Sequence, residues 1–178
     1  MNTTVKDWER CVAFHGHACP GLAIGVRACE AAAAHLGITM ARDEEVVCVT
    51  ENDACGVDAV QVLAGCSVGK GNLILRNTGK MAFSFFCRSR DTAVRLVFRK
   101  PMAGEGMDRA AMQHHILTAP LEELFDCKAP PYALPDKARL FASVVCEECG
   151  ESCAEHCARL HEGRKVCLDC FAAYSRGW

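Results

Sequence analysis

Apolar positions fall at helical spacing in the first third of the chain and in short β-branched runs further on. Val5, Trp8, Cys11 and Val12 share one face of a predicted amphipathic helix over 3–14. Residues 20–37, PGLAIGVRACEAAAAHLG, predict a second helix, with Pro20 suited to its first position, alanines in its body and Gly37 just past its end. EEVVCVT at 44–50 has the composition of a buried strand. GVDAVQVLA at 56–64 predicts another helix. Strands at 73–76, 82–88 and 93–99 follow as an expected meander, the first two joined through Asn77-Thr78-Gly79-Lys80. Residues 108–117 and 120–125 read as closing helices. This order implies an α+β layer fold with a mixed sheet.

Between Cys127 and Ala142 the sequence reads CKAPPYALPDKARLFA, and Pro130-Pro131 can neither continue a helix nor pair in the middle of a sheet. The segment is therefore a connector. It divides the chain into a core domain, 1–130, and a smaller domain, 137–178.

The 178 residues are 51% hydrophobic and 24% charged, the mixture of a globular protein, and the net charge of −2 points to neither nucleic acid nor a membrane surface. No apolar run approaches the ~18 residues of a membrane span. Asp7 and Glu9 stand where a signal peptide would carry its apolar stretch, which predicts a cytoplasmic protein. The fourteen cysteines change the picture. In a reducing compartment they read as metal ligands, redox groups or small buried residues, not as disulfides.

Cys146-x2-Cys149-Gly150 and Cys167-x2-Cys170 are two knuckles separated by seventeen residues, the spacing of a four-thiolate zinc site. About 50 residues with little apolar core need such a staple. ARLHEGRKV predicts two short strands around Glu162-Gly163, and LDCFAAYSR a short helix carrying the second cysteine pair. Knuckle, hairpin and helix together would make a treble clef. Cys153, His156, Cys157 and His161 lie between the knuckles. A ligand set in which Cys153 and Cys157 replace one knuckle, or a second metal there, stays open.

His15-Gly16-His17-Ala18-Cys19-Pro20 is the most chemical stretch of the larger domain. If it is extended, residues 15, 17 and 19 project to one side. Cys19 would then stand at the positive start of a helix beside one or two imidazoles, which favours the thiolate that attacks an electrophile or binds zinc. Cys55, at the start of the helix 56–64, matches Cys19 at the start of 20–37. The two thiols and the imidazoles of His15 and His17 could form an open metal site or a thiol pair able to cycle to a disulfide. Cys55 could equally be a packed thiol. The Gly65–Asn72 loop lacks a phosphate-loop frame, leaving Lys70 as a candidate anion contact. In His114-His115 at most one ring can face a site. Cys11, Cys29, Cys48, Cys66, Cys87 and Cys127 read as core.

HGHACPGLAIGVRA, VTENDACGVDAVQVLAGCSVGKGNLILRNTGKMAFSF and the terminal C-E-E-C-G-E…H-E-G-R-K-V-C-x-x-C together resemble the FmdE family of formylmethanofuran dehydrogenase proteins over almost the whole chain. The resemblance implies a thioredoxin-like α+β core with a mixed sheet, followed by a treble-clef zinc finger. Members occur in anaerobic archaea and bacteria, some encoded beside the molybdenum or tungsten enzyme that oxidises formylmethanofuran, a tie to C1 metabolism and methanogenesis. Carried over to this chain, the site is His17 and Cys19, with Cys55 opposite and His15 adjacent. The resemblance does not transfer dehydrogenase activity, since FmdE is not the part expected to carry molybdopterin or iron–sulfur clusters.

Two main expectations follow. The first is a metal-binding accessory protein with structural zinc on Cys146, Cys149, Cys167 and Cys170, and a second zinc or other divalent ion on His15, His17, Cys19 and Cys55. Its partners would be molybdenum or tungsten oxidoreductase subunits, or a second copy in a homodimer. The alternative is a thiol enzyme or redox protein in which Cys19 and His17 are catalytic and Cys55 resolves. A third reading is a module that docks onto a larger enzyme.

Overall fold

The computed structural model describes residues 4–99 and 106–177. They fall into two compact units, Met1–Ala138 and Arg139–Trp178.

In the first unit, α1 (Val5–His15) starts at Thr4, whose hydroxyl accepts from the Asp7 amide while the Asp7 carboxylate accepts from the Thr4 amide. Residue 3, the first of the predicted span, lies outside the described residues. The helix ends at Gly16, which turns left-handed at φ 89° and donates its amide to the Val12 carbonyl. The second helix, α2 (Pro20–Leu36), carries Pro20 at its first position and ends at left-handed Gly37. Its Leu22, Ala23, Val26, Ala28 and Ala32 are fully buried, which makes it the central helix of the unit. There follow β1 (Val46–Thr50) and α3 (Gly56–Ala59), which runs on as a π-helical turn over Val60–Ala64.

Then come β2 (Leu73–Leu75), β3 (Ala82–Cys87), β4 (Thr92–Phe98), α4 (Arg109–Thr118), α5 (Leu121–Leu124) and β5 (Phe125–Lys128). The sheet order is β2-β1-β3-β4-β5. β1 and β2 are parallel and the remaining pairs are antiparallel, so the fold is α+β with a mixed five-stranded sheet.

The predicted meander is corrected at its first strand. β2 pairs with β1 and not with β3, because the helix at 56–64 carries the chain back to run parallel beside β1. Period-two alternation then divides the buried strands between two faces. Val46, Cys48, Phe83 and Phe85 face the helices, whereas Val47, Val49 and Phe86 face the other way, against Ile74, Tyr132 and Leu134. Phe83 and Phe85 are fully buried, each contributing roughly 2–3 kcal/mol of apolar burial. The proline-rich segment thus packs along the second face, where the Tyr132 hydroxyl donates to Ser84 Oγ at 2.7 Å.

Cys11, Cys29, Cys48, Cys66 and Cys87 are buried as the pattern predicts. Burial pushes the thiols of Cys11 and Cys66 up, to about 11 and about 12, and holds those of Cys29 and Cys48 well above the ordinary range. Cys127 is the exception. It lies exposed on the edge strand β5, with its sulfur 3.1 Å from His35 Nε2.

The second unit consists of two small antiparallel hairpins. β6 (Ser143–Val145) pairs with β7 (Ser152–Ala154) around the first knuckle, and β8 (Arg159–His161) pairs with β9 (Arg164–Val166) ahead of the second. The helix expected from LDCFAAYSR, which a treble clef would need, is not formed. Residues 168–170 make a turn and 171–175 are irregular. A short segment that buries no side chain lacks the tertiary contacts that hold a helix together.

Candidate metal centres

The Cys146, Cys149, Cys167 and Cys170 sulfurs all lie within 4.8 Å of one another. Ligands about 2.3 Å from a tetrahedral ion are roughly 3.8 Å apart, so a small contraction closes this cluster on zinc. The Cys149 and Cys167 sulfurs are already 3.9 Å apart. The first knuckle is tied by the Gly150 amide to the Cys146 carbonyl at 2.9 Å, and the Cys167 amide donates to Cys146 Sγ at 3.3 Å. The backbone amides of Cys149 and Cys167 hold the Cys146 thiol down, to about 6. The neighbouring Cys167 thiol pushes Cys170 up, since four thiols this close cannot ionise together without a cation. Among the described residues only Cys146 and Val166 of this unit are buried apolar side chains. That is too little to hold forty residues folded without a staple.

Cys153 and Cys157 stand outside the four-thiol cluster. His156 lies against Phe141 with ring centroids 4.0 Å apart, and His161 meets Phe171 edge-on at 5.7 Å. Each imidazole thus lies against an aromatic ring.

A second cluster gathers His15, His17 and Cys19, again within 4.8 Å. It is built differently from the expected extended stretch. His15 is the last residue of α1, Gly16 reverses the chain, and Cys19 caps α2 in an extended conformation (φ −155°, ψ 160°). A helix end, a left-handed turn and a helix start bring the three side chains together in place of strand alternation. The His15 and His17 rings pack at 4.4 Å with a 38° tilt. Cys19 is 2% exposed, and its sulfur accepts from the Leu22 amide at 3.3 Å. The imidazole facing that sulfur is His15, with Nε2 at 3.8 Å. The other nitrogen of His15, Nδ1, lies 2.7 Å from Asp58 Oδ2.

Cys55 begins α3 and approaches the site through a tight helix crossing. A Cβ placed on Gly25 would lie 2.6 Å from the Gly56 carbonyl carbon and overlap its oxygen, so α2 and α3 meet backbone to backbone. A Cβ on Gly21 would lie 3.6 Å from Cys55 Sγ and 4.0 Å from Cys19 Sγ, which places both sulfurs around the same turn of α2. Cys55 is absent from the tight three-ligand set. Burial, and then the neighbouring Cys19 thiol, raise its pKa.

The loop from β1 to Cys55 is fixed by polar contacts. Thr50 Oγ1 donates to the Asn52 carbonyl at 2.7 Å, Asn52 Oδ1 accepts from the Ala54 amide, and Asn52 Nδ2 donates to the Lys80 carbonyl. Glu51 is buried under Arg95, with Nε–Oε1 at 2.6 Å and Nη2–Oε2 at 2.9 Å, and the Arg95 guanidinium holds its carboxyl below the usual range. A cleft of about 350 Å³ opens beside the cluster, lined by His15, Asp53, Cys55 and Asp58 with an apolar wall of Val57, Val68, Leu73 and Leu75. It lies at the carboxyl ends of the parallel strands β1 and β2, where ligands gather in α/β layers.

Lys70 does not serve this cleft. Its ammonium donates to the carbonyls of Ala41 and Gly65 and so ties the loop. His114 and His115 lie on α4, outside either cluster. Asp58 escaped the sequence reading. It stands 43 residues from His15, and no local spacing connects the two.

A family model described as FmdE, molybdenum formylmethanofuran dehydrogenase operon, matches residues 14–126, a span that holds the whole N-terminal cluster, Cys55 and Asp58. The chain belongs to the FmdE family. This FmdE chain is similar in fold to the crystal structure of a tungsten formylmethanofuran dehydrogenase FmdE-like protein from Syntrophus aciditrophicus. The TM-score is 0.69 at 21% identity, over 91% of this chain and 88% of that one. It is also 29% identical, over 192 aligned positions, to a probable S-adenosyl-L-methionine-binding protein of Archaeoglobus fulgidus. The alignment takes in 90% of this chain, which spans about half (51%) of that relative. No helix among the described residues is long and apolar enough to cross a membrane.

Proposed function

We propose that this FmdE protein is a metal-binding accessory factor for molybdenum or tungsten oxidoreductases of C1 metabolism. It would carry one structural zinc on Cys146, Cys149, Cys167 and Cys170, and one exchangeable divalent ion on His15, His17 and Cys19. The observation that carries the reading is the convergence of two imidazoles and one thiol within 4.8 Å beside an open cleft. Two nitrogens and a sulfur suit zinc, and three protein ligands leave a position for water or a substrate group, as in catalytic or transport zinc. Cys55 stands near enough to act as an alternative fourth ligand. A bound ion would act as a Lewis acid at that position. The protein's own share is to hold the imidazoles, keep Cys19 dry and present the cleft. The family's operon description supports oxidoreductase subunits as partners.

The test is Co²⁺ titration of protein treated with a mild chelator. One ion should bind beyond the finger, with a d–d spectrum that changes in His17→Ala and disappears in Cys19→Ala. If no metal binds beyond the finger, the reading falls.

One observation favours a second reading. Asp58, His15 and Cys19 form a carboxylate–imidazole–thiol line, the arrangement that activates a cysteine nucleophile, and Cys55, near the same turn of α2, would be the resolving thiol. Dominant labelling of Cys19 by limiting iodoacetamide, in protein that takes up no second metal, would favour it.

A further inference from the structure

His15 is held from both sides. Nδ1 faces Asp58 Oδ2 at 2.7 Å, and Nε2 faces Cys19 Sγ at 3.8 Å. A carboxylate oxygen accepts, so a neutral His15 ring that satisfies this contact carries its proton on Nδ1 and turns the lone pair of Nε2 towards Cys19. Asp58 is itself held by a second contact, in which Gln61 Nε2, one turn further along the helical run, donates to Oδ1 at 3.1 Å. Both Asp58 oxygens are thereby assigned, one to an amide donor and one to the imidazole.

We infer that Gln61 and Asp58 form a polarity relay that fixes the tautomer of His15, with Asp58 as a positioning residue that keeps Nε2 free as a ligand atom. Its consequence for zinc rests on the proposed metal site; the tautomer itself can be read without metal. Outer partners of this kind orient metal-binding histidines and raise their basicity.

The relay makes a demand that simple packing does not. In Asp58→Asn the new amide can face His15 with either its oxygen or its NH2, and the side chain at position 61 decides which. With Gln61→Glu added, the carboxylate introduced at 61 draws the NH2 introduced at 58, so the amide oxygen still accepts from His15 Nδ1–H. With Gln61→Lys added, the ammonium introduced at 61 claims that amide oxygen, and the NH2 turned towards His15 forces the proton onto Nε2. Both double variants carry the same side chain at position 58.

The experiment is ¹⁵N NMR of the His15 ring in the full-length chain after mild chelation, followed by zinc titration. Wild type and Asp58→Asn/Gln61→Glu should show Nδ1–H, and Asp58→Asn/Gln61→Lys should show Nε2–H. Zinc affinity at this site should stay close to native in the first double variant and fall about 10–100-fold in the second. Wild-type protein with Nε2–H would overturn the relay without recourse to any variant. So would an identical tautomer ratio in the two double variants. If wild type takes up no zinc here but shows the Nδ1–H tautomer, the proposed metal function fails while the relay stands.

Discussion

In Arg139–Trp178 the four clustered cysteines come from two tight turns, each supplying a pair three positions apart, and the surrounding hairpins bury almost nothing. In Met1–Ala138 His15, His17 and Cys19 come from one helix end, one left-handed turn and one helix start, all anchored on a sheet whose central residues are wholly buried. On the proposed metal reading, the first cluster would need its ion to fold. The second is assembled by a fold that exists without the ion, and the difference in donors follows. Four thiolates saturate a tetrahedral metal, whereas two imidazoles and a thiol leave it open to the cleft.

The largest expected effect separates the two clusters. Cys146→Ser or Cys170→Ser should release the finger zinc and expose residues 139–178 to protease, because roughly 10 kcal/mol or more of metal binding is folding free energy in sites of this kind. Cys19→Ala should leave that zinc in place. Metal analysis and limited proteolysis read both. A Cys153→Ser/Cys157→Ser double variant that lost this zinc, while Cys146→Ser kept it, would reassign the ligands.

A second experiment asks whether the larger unit stands on its own contacts. Glu51→Gln leaves the Arg95 guanidinium largely buried without its counter-charge and should cost roughly 3 kcal/mol in urea unfolding, with or without metal. The sign with pH follows from the depressed carboxyl. Glu51 is held below the ordinary value of 4.5 in the folded state, so its contribution is present above that value. It is lost as pH falls through the lower folded value, because there the folded state must take up the proton it resisted. Wild type should lose stability in that acid window, and Glu51→Gln should lose less.

Next comes the helix crossing that brings Cys55 to the site. Gly25→Ala drives a methyl into the Gly56 carbonyl, a backbone group that cannot step aside as a side chain would. The expected cost is about 2 kcal/mol, with the Cys19 and Cys55 sulfurs forced apart. Thermal unfolding and the yield of a Cys19–Cys55 cross-link by a short bifunctional reagent measure the two effects, and the finger zinc should not change.

Local chemistry was legible in the sequence to the extent that it was local. Pro20 and Gly37 mark the ends of α2 because φ preferences act one residue at a time, and the paired knuckles announce a four-thiol cluster by spacing alone. What depended on distant contacts was not legible. β2 looks like the start of a meander until β1 is seen to take its place beside β3. Cys127 has the apolar neighbours of a core residue, but β5 is an edge strand. The composition of LDCFAAYSR suits a helix, yet with nothing to bury it stays irregular past the turn. His15, His17 and Cys19 were found by type and proximity, although the reason for their convergence lies in Gly16. Asp58, which orients His15, is joined to it only by the packing of α3 against α1 and α2.

Gly16 supplies the smallest and most specific test of the contrast. It stands between His15 and His17 with φ at 89°, a conformation an L side chain adopts at a cost of roughly 1 kcal/mol, and no atom beyond its chain neighbours lies within 4 Å of a Cβ built there. Gly16→Ala is therefore a backbone perturbation with no steric component. Stability should fall by about 1 kcal/mol, within reach of careful urea titrations. If the turn is what sets His15 and His17 side by side, relaxing it towards negative φ swings His17 away from the Cys19 sulfur. Metal affinity at the N-terminal cluster should then fall about tenfold, a loss of roughly 1.4 kcal/mol. The finger should keep its zinc, since its ligands are set by turns of their own. Competition of the cobalt-loaded site with a calibrated chelator gives the affinity, and metal analysis gives the finger occupancy. An unchanged affinity in a variant destabilised as expected would show that the ligands gather without the left-handed turn.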